Sequence, residues 1–365
     1  MKQLRTAVQS QFPSLDALLL THPPDVRYLT GFTGSNAAVV LPISGGSIRK
    51  KNSAVLFTDG RYIEQAQQQT QDATVVIAQG PVLGEASAWM QARNIRSCGV
   101  DAEHTTIATL EALRRSISPR DQKKFFQPVP SMVASQRQIK TPEEIARLRA
   151  AAQLGCALFD KLLSVLEPGK RETEIAAHLE FAARMGGAEA MSFETIIASG
   201  RRSALPHGHA SVQRLPKRGF VVLDFGVMLS GYCSDMTRTV HLGPATGAER
   251  SAYEAVLEAQ MAGVAAARHG VTCATVDEAA RSALRRRKLA DHFTHSTGHG
   301  LGLEIHEGPR IAAGQEQQLQ AGMVVTVEPG VYLPGRFGIR IEDTVVVTRG
   351  EPQVLTPATK AWIEL

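Results

Sequence analysis

The chain has 365 residues, more than one hydrophobic core usually serves, so two domains are expected. Hydrophobic residues make up 43% and charged residues 21%, the balance of a soluble globular protein and not of a disordered or fibrous one. Net charge is +5 and the isoelectric point about 9.1, but the densest basic run, residues 281–288, closes an amphipathic helix where cations complement the dipole, so nucleic-acid binding is not implied.

In chain order, residues 17–20, 37–41, 54–58, 74–78 and 97–100 read as short strands, with helices over 61–69 and 107–116. That alternation predicts an α/β layer. The apolar runs are far too short to cross a bilayer, and no apolar stretch follows Lys2 and Arg5. A cytoplasmic protein with no membrane partner is therefore expected. Residues 42–53 carry Gly45, Gly46 and the basic run Arg49-Lys50-Lys51, a long hairpin connection. Pro128 and Pro130 break the pattern, and Thr141-Pro142-Glu143-Glu144 starts a helix afresh, with a threonine cap, proline at the first position and acids in the first turn. The boundary is placed at residues 127–138, giving domains over 1–130 and 138–365. The second domain is helical to about Met185. Strands then read over 195–198, 220–227, 232–242, 323–328 and 339–348, interrupted by helices over 249–269 and 276–288. Helices packed on an antiparallel sheet make this an α+β domain. Cys98, Cys156, Cys233 and Cys273 form no Cys-x-x-Cys pair and read as reduced thiols.

Several polar residues stand where apolar ones are expected. Asp224 interrupts the apolar strand that begins at Phe220, and Asp235 lies on the return strand of the expected hairpin. A turn centred on Leu229 and Ser230 would set the two aspartates opposite each other, with Cβ atoms about 5 Å apart. Carboxylates that close repel, and a cation between them removes the conflict. His295, His299 and His306 lie within a glycine-rich segment whose backbone can approach a ligand closely. Glu328 and Glu342 each sit within or at the end of a β-branched strand, where an unpaired carboxylate is costly. Arg340 shares a strand face with Glu342. Oxygen-rich ligation with one imidazole suits Mn²⁺ first, with Co²⁺, Fe²⁺ or Zn²⁺ as alternatives. Four carboxylates are balanced by two divalent ions, and a hydroxide bridging two such ions is a nucleophile at neutral pH.

The order Asp224, Asp235, His299, Glu328, Glu342 is set in Leu223-Asp-Phe-Gly226, Ser234-Asp-Met-Thr-Arg238, His295-Ser-Thr-Gly-His-Gly-Leu-Gly302, Val327-Glu-Pro-Gly330 and Arg340-Ile-Glu-Asp-Thr344. This pattern resembles the M24 metallopeptidases of the pita-bread fold, which include methionine aminopeptidases, prolidases and Xaa-Pro aminopeptidases. The resemblance implies that Asp235 and Glu342 bridge two metals, that Asp224 chelates one, and that His299 and Glu328 complete the other. Ser199-Gly-Arg-Arg-Ser-Ala-Leu-Pro-His207 resembles the proline-specific members. It implies that His207 sits beside substrate, that His295 helps stabilise the tetrahedral intermediate, and that His306 and Arg340 line the proline pocket. Tyr28-Leu-Thr-Gly-Phe-Thr-Gly-Ser35 and Thr58-Asp-Gly-Arg-Tyr62 look like the creatinase-type N-terminal domain of the same enzymes. Methionine aminopeptidases lack that domain, and creatinases lack the intact metal set.

The expectation is thus a homodimeric metallo-exopeptidase that cleaves Xaa-Pro bonds of small peptides, as a dipeptidase or an aminopeptidase. Glu328 would accept the proton and pass it to the proline nitrogen. Arg340, or the basic loop at Arg49, would meet a free carboxylate. The alternatives are a methionine-aminopeptidase-like exopeptidase and a non-catalytic pita-bread module that binds peptide or nucleic acid.

Overall fold

Six strands of the N-terminal part pair into one sheet in the order Ala73–Ile77, Ala54–Thr58, Ala37–Pro42, Ala17–Leu20, Cys98–Asp101 and Phe126–Val129. A computed structural model describes residues 1–43, 54–118 and 122–365. The chain divides into two units, Met1–Arg137 and Gln138–Leu365. The expected basic loop with Arg49 lies outside the described residues.

In the first unit, side chains alternate between two cores, as the period of two along a strand dictates. Leu18, Leu20, Val39, Leu41 and Leu56 meet Leu4 and Val8 of the helix Lys2–Gln11. Ala17, Leu19, Val40, Val55 and Phe57 face Ala86 and Met90 of the helix Val82–Ala92. Helix cover on both faces explains why these strands read as uninterrupted apolar runs. Pro128 does not end the layer. It belongs to an edge strand paired in parallel with Cys98–Asp101, the place in a sheet where a missing N–H is tolerated.

The second unit layers two helix pairs against short, mostly antiparallel strands. The first pair is Pro142–Leu163 and Glu172–Met185, and the second is Gly247–Ala266 and Cys273–Arg286. Thr141 caps the first helix in a reciprocal capping box with Glu144. The strands Ile196–Ser199, Gly219–Phe225 and Met236–Leu242 form one sheet. Val221, Leu223 and Phe225 join Leu158 and Phe159 in the core under the first helix pair. Alternation therefore turns Val222 and Asp224 to the other face. The strands Glu307–Ile311, Gly298–Gly300, Val324–Val327, Asp343–Val346 and Gln353–Val354 form a five-stranded sheet over the core that holds Val276 and Cys273. No helix among the described residues is long and apolar enough to cross a membrane.

Candidate metal centre and peptide pocket

The hairpin that carries the two aspartates turns one residue later than expected. Its centre is Ser230 and Gly231, both left-handed at φ 51° and 78°, and Leu229 pairs with Tyr232. Such a pair suits the tight two-residue turn that matches strand twist. The shift sets Asp224 opposite Thr237 instead of Asp235. Asp235 instead reaches the site from the break between Tyr232–Cys233 and Met236–Leu242. Gly226 permits the close approach there, since a Cβ on it would lie 1.8 Å from the Ser234 carbonyl oxygen.

The expected ligands nevertheless converge. Ligand atoms of Asp224, Asp235 and Glu342 all lie within 4.8 Å of one another. His299 Nε2 is 3.6 Å from Asp235 Oδ2 and 3.6 Å from Glu328 Oε1. His299 is held by a glycine on each side. A Cβ on Gly298 would sit 2.0 Å from the Thr326 carbonyl oxygen, and one on Gly300 2.1 Å from that of Gly308. Its Nδ1 lies 3.0 Å from the Gly300 carbonyl, so that nitrogen is the donor and Nε2 turns a lone pair to the carboxylates. Burial holds the His299 ring neutral by lowering its pKa to about 4.

Burial, together with mutual repulsion, pushes the carboxyls of Asp235 and Glu342 well above their ordinary range. Burial, with Asp224 adding to it, pushes Glu328 up to about 8. Asp224 Oδ1, Asp235 Oδ1 and Glu342 Oε1 are buried without a hydrogen-bond partner. Buried polar atoms are rarely left so. Divalent cations fit this set, because they supply the positive charge that these oxygens lack.

Arg340 is buried at the centre of the site, and each of its three side-chain nitrogens is engaged. Nε donates to Thr237 Oγ1 at 3.1 Å, and Nη1 to the Pro206 carbonyl at 3.1 Å and to Tyr332 Oη. Nη2 donates to Asp224 Oδ2. Thr237 Oγ1 in turn donates to Glu342 Oε2 at 2.8 Å. Arg340 therefore lines the pocket as a clamp on two of the carboxylates, not as an open cation for a substrate. His295 is committed too. Its Nδ1 lies 2.8 Å from the Ser296 carbonyl and its Nε2 2.9 Å from Tyr332 Oη. The carbonyl requires the proton on Nδ1, so Nε2 accepts and the ring has no N–H for an oxyanion.

A cavity of about 600 Å³ opens onto the cluster. His207 and His306 line it, with Phe193, Ile196, Pro206 and Ile305 as its apolar wall. The His306 ring stands edge-on to that of His299 at 4.4 Å. Sequence reasoning missed Arg310, which also lines the cavity. Register sets it directly opposite His299 across the strand pair. Its side chain is exposed and makes no ion pair with a described residue. The only signal for it was its place three residues after Glu307, which carries no weight without the strand pairing.

Residues 146–349 match the model for metallopeptidase family M24, and residues 1–139 match that for the creatinase/prolidase N-terminal domain. The chain is 36% identical over 345 residues to the Xaa-Pro dipeptidase of Pyrococcus furiosus, covering 94% of each. Its structure is similar to that of an Xaa-Pro dipeptidase from Bacillus anthracis, with TM-score 0.93, 37% identity, and 100% and 99% of the two chains covered. It is also similar to that of an X-Pro aminopeptidase from Thermotoga maritima, with TM-score 0.88, 33% identity, and 96% and 98% covered.

Proposed function

The chain belongs to metallopeptidase family M24, and we propose that it hydrolyses the bond between an N-terminal residue and proline in small peptides, chiefly dipeptides. The observation that carries the metal assignment is the set of three buried carboxylate oxygens without a hydrogen-bond partner, on residues whose ligand atoms lie within 4.8 Å of one another. Asp224, Asp235, His299, Glu328 and Glu342 would hold the ions. Their four carboxylates call for two divalent ions, and oxygen-rich ligation favours Mn²⁺. Bound there, divalent ions supply Lewis acidity and a source of hydroxide at neutral pH.

The rest of the chemistry belongs to the chain. Glu328, whose Oε1 lies 3.6 Å from His299 Nε2 and which lines the cavity, is placed to accept a proton and relay it to the leaving nitrogen. His207 is the imidazole left to donate to a developing oxyanion, since both nitrogens of His295 are engaged. A prolyl bond has no N–H to satisfy, so recognition falls to shape. The apolar wall of Phe193, Ile196, Pro206 and Ile305, with His306, suits a pyrrolidine ring. Arg310, opposite His299, is the cation for a free carboxylate one residue beyond the scissile carbonyl. That supports a dipeptidase over an aminopeptidase. Similarity to Xaa-Pro dipeptidases over nearly the whole chain supports the substrate class.

A homodimer and a cytoplasmic location complete the proposal. The four cysteines, all free, fit a reducing compartment. The test is a hydrolysis panel of Ala-Pro, Ala-Pro-Ala and Met-Ala-Ser with Mn²⁺, repeated with a chelator and with Arg310→Ala. Mn²⁺-dependent turnover of Ala-Pro ahead of the tripeptides, lost mainly through KM in the variant, is expected. Equal turnover of Met-Ala-Ser, or chelator-resistant turnover, overturns the reading.

A further inference from the structure

We infer that Glu172 is a positioning residue, a buried carboxylate that ties both ends of residues 199–211 to one point and thereby fixes His207 against the site. The inference rests on the reading of His207 as a group that touches substrate.

Glu172 opens the helix Glu172–Met185. An acid in the first turn ordinarily serves the helix dipole from the surface. This one is 0% exposed and does not line the cavity. Its Oε1 accepts from Ser199 N and Ser199 Oγ, both at 2.8 Å. Its Oε2 accepts from Ser211 N at 3.1 Å and Ser211 Oγ at 2.7 Å. Arg202 Nε donates to Oε2 at 3.0 Å, and Arg202 Nη2 donates to the His209 carbonyl at 2.7 Å. One carboxylate thus gathers the start of the segment, its end, and an arginine that braces its middle. Pro206, His207 and His209 between them line the cavity, and the Pro206 carbonyl accepts from Arg340.

A carboxylate is the group that this arrangement requires. Every partner is a donor, and an ionised acid offers about four lone-pair sites and no proton. Glutamine in its place would turn an NH₂ group on backbone and hydroxyl donors. The far end has further support, since Thr173 N donates to Ser211 O and Glu172 N to Gln213 O. At the near end Ser199 also pairs with Val221 in the sheet, so Arg202 and the turn that follows Ser199 are what depend on the carboxylate. Their release would let His207 and the Pro206 carbonyl drift from their places without touching any of the five metal-facing residues.

The test compares wild type, Glu172→Gln, His207→Ala and the double variant, with bound Mn²⁺ counted in each. Ser199→Ala/Ser211→Ala is the milder variant should Glu172→Gln fold poorly. It removes two hydroxyl donors and leaves the carboxylate. Glu172→Gln is expected to keep its metal and lose about a hundredfold in kcat/KM for Ala-Pro, the scale of a displacement of about 1 Å at a reacting group. In the His207→Ala background the same change is expected to cost less than about threefold, because the two residues act as a unit. Amide exchange of the unliganded protein is expected to quicken over residues 199–211 and not in the helix Pro142–Leu163. Additive losses, or unchanged exchange over 199–211 in both variants, overturn the inference. A wild-type protein inactive on Ala-Pro overturns the proposed function instead, and the exchange measurement then decides the clamp by itself.

Discussion

In the proposed metal centre, protons would compete with metal ions for the oxygens of Asp235, Glu328 and Glu342. Burial raises all three carboxyls, Glu328 to about 8, while burial lowers the His295 and His299 rings to about 4. The signs give two windows. The histidines are neutral in the fold and charged in the unfolded chain from about 6.5 down to about 4, so stability falls as pH drops through that range. The raised carboxyls keep protons that the unfolded chain has lost above about 4.5, so their contribution falls as pH rises toward 8. Above pH 6.5 the second effect acts alone. Metal-free protein is therefore expected to lose thermal stability from pH 6.5 to 8.5 in calorimetry, and the Mn²⁺-loaded protein is not. Proton release on Mn²⁺ binding should be larger at pH 6.5 than at pH 9, because ligands must deprotonate. Glu342→Gln isolates one group. Its amide oxygen can still accept from Thr237 Oγ1, while a buried like charge disappears. With chelator at pH 8.5 this variant should melt above wild type, and it should bind less Mn²⁺. A lower melting point would show that Glu342 stabilises the empty site, contrary to the electrostatic account.

Strands and turns decide how those residues meet, and here sequence patterning reaches only part of the way. Asp224, Glu328 and Glu342 stood out because a carboxylate among β-branched neighbours has a clear cost. His299 stood out because glycines flank it, and the structure gives the reason, since a Cβ on either neighbour would strike a facing carbonyl. The turn lies one residue beyond the expected Leu229-Ser230, because Ser230-Gly231 places the second positive φ on glycine and not on leucine. Arg310 and Glu172 were not legible at all. Their roles come from a strand partner and from a segment far along the chain, neither of which leaves a periodic trace. The hairpin separates two kinds of glycine. Gly231→Ala strains the left-handed turn, at about 1–2 kcal/mol, and should leave Mn²⁺ stoichiometry intact. Gly226→Ala forces the two arms apart where Asp235 enters, so it should lose metal and nearly all activity. Titration with Mn²⁺ beside melting curves distinguishes them, and equal metal retention in both variants would remove the hairpin from the account of the site.

At the scale of the molecule, every described core cluster is made within one unit. Leu18 and Phe57 mark the two of the first unit, and Phe159, Val256 and Val325 mark the three of the second. Asp224, Asp235, His299, Glu328 and Glu342 and all the described cavity residues belong to the second unit. This separation makes stability and metal binding distinguishable by mutation. In the first unit, Asp25 is fully buried on the helix Pro23–Thr30, and Arg137 Nη1 donates to its Oδ1 at 2.8 Å from beneath an equally dry cover. Asp25 Oδ2 also lies 3.5 Å from His22 Nδ1, but removing one partner of such a buried pair costs about 3–5 kcal/mol. Arg137→Ala should therefore lower the melting of the first unit by roughly 10 °C or more. Mn²⁺ stoichiometry and the melting of the second unit should not change. Calorimetry in the presence of Mn²⁺, followed by a metal count on the recovered protein, reads both. A single transition that moves as a whole, together with loss of metal, would mean that the two units share their cooperativity and that Asp25 and Arg137 support the site as well as their own core.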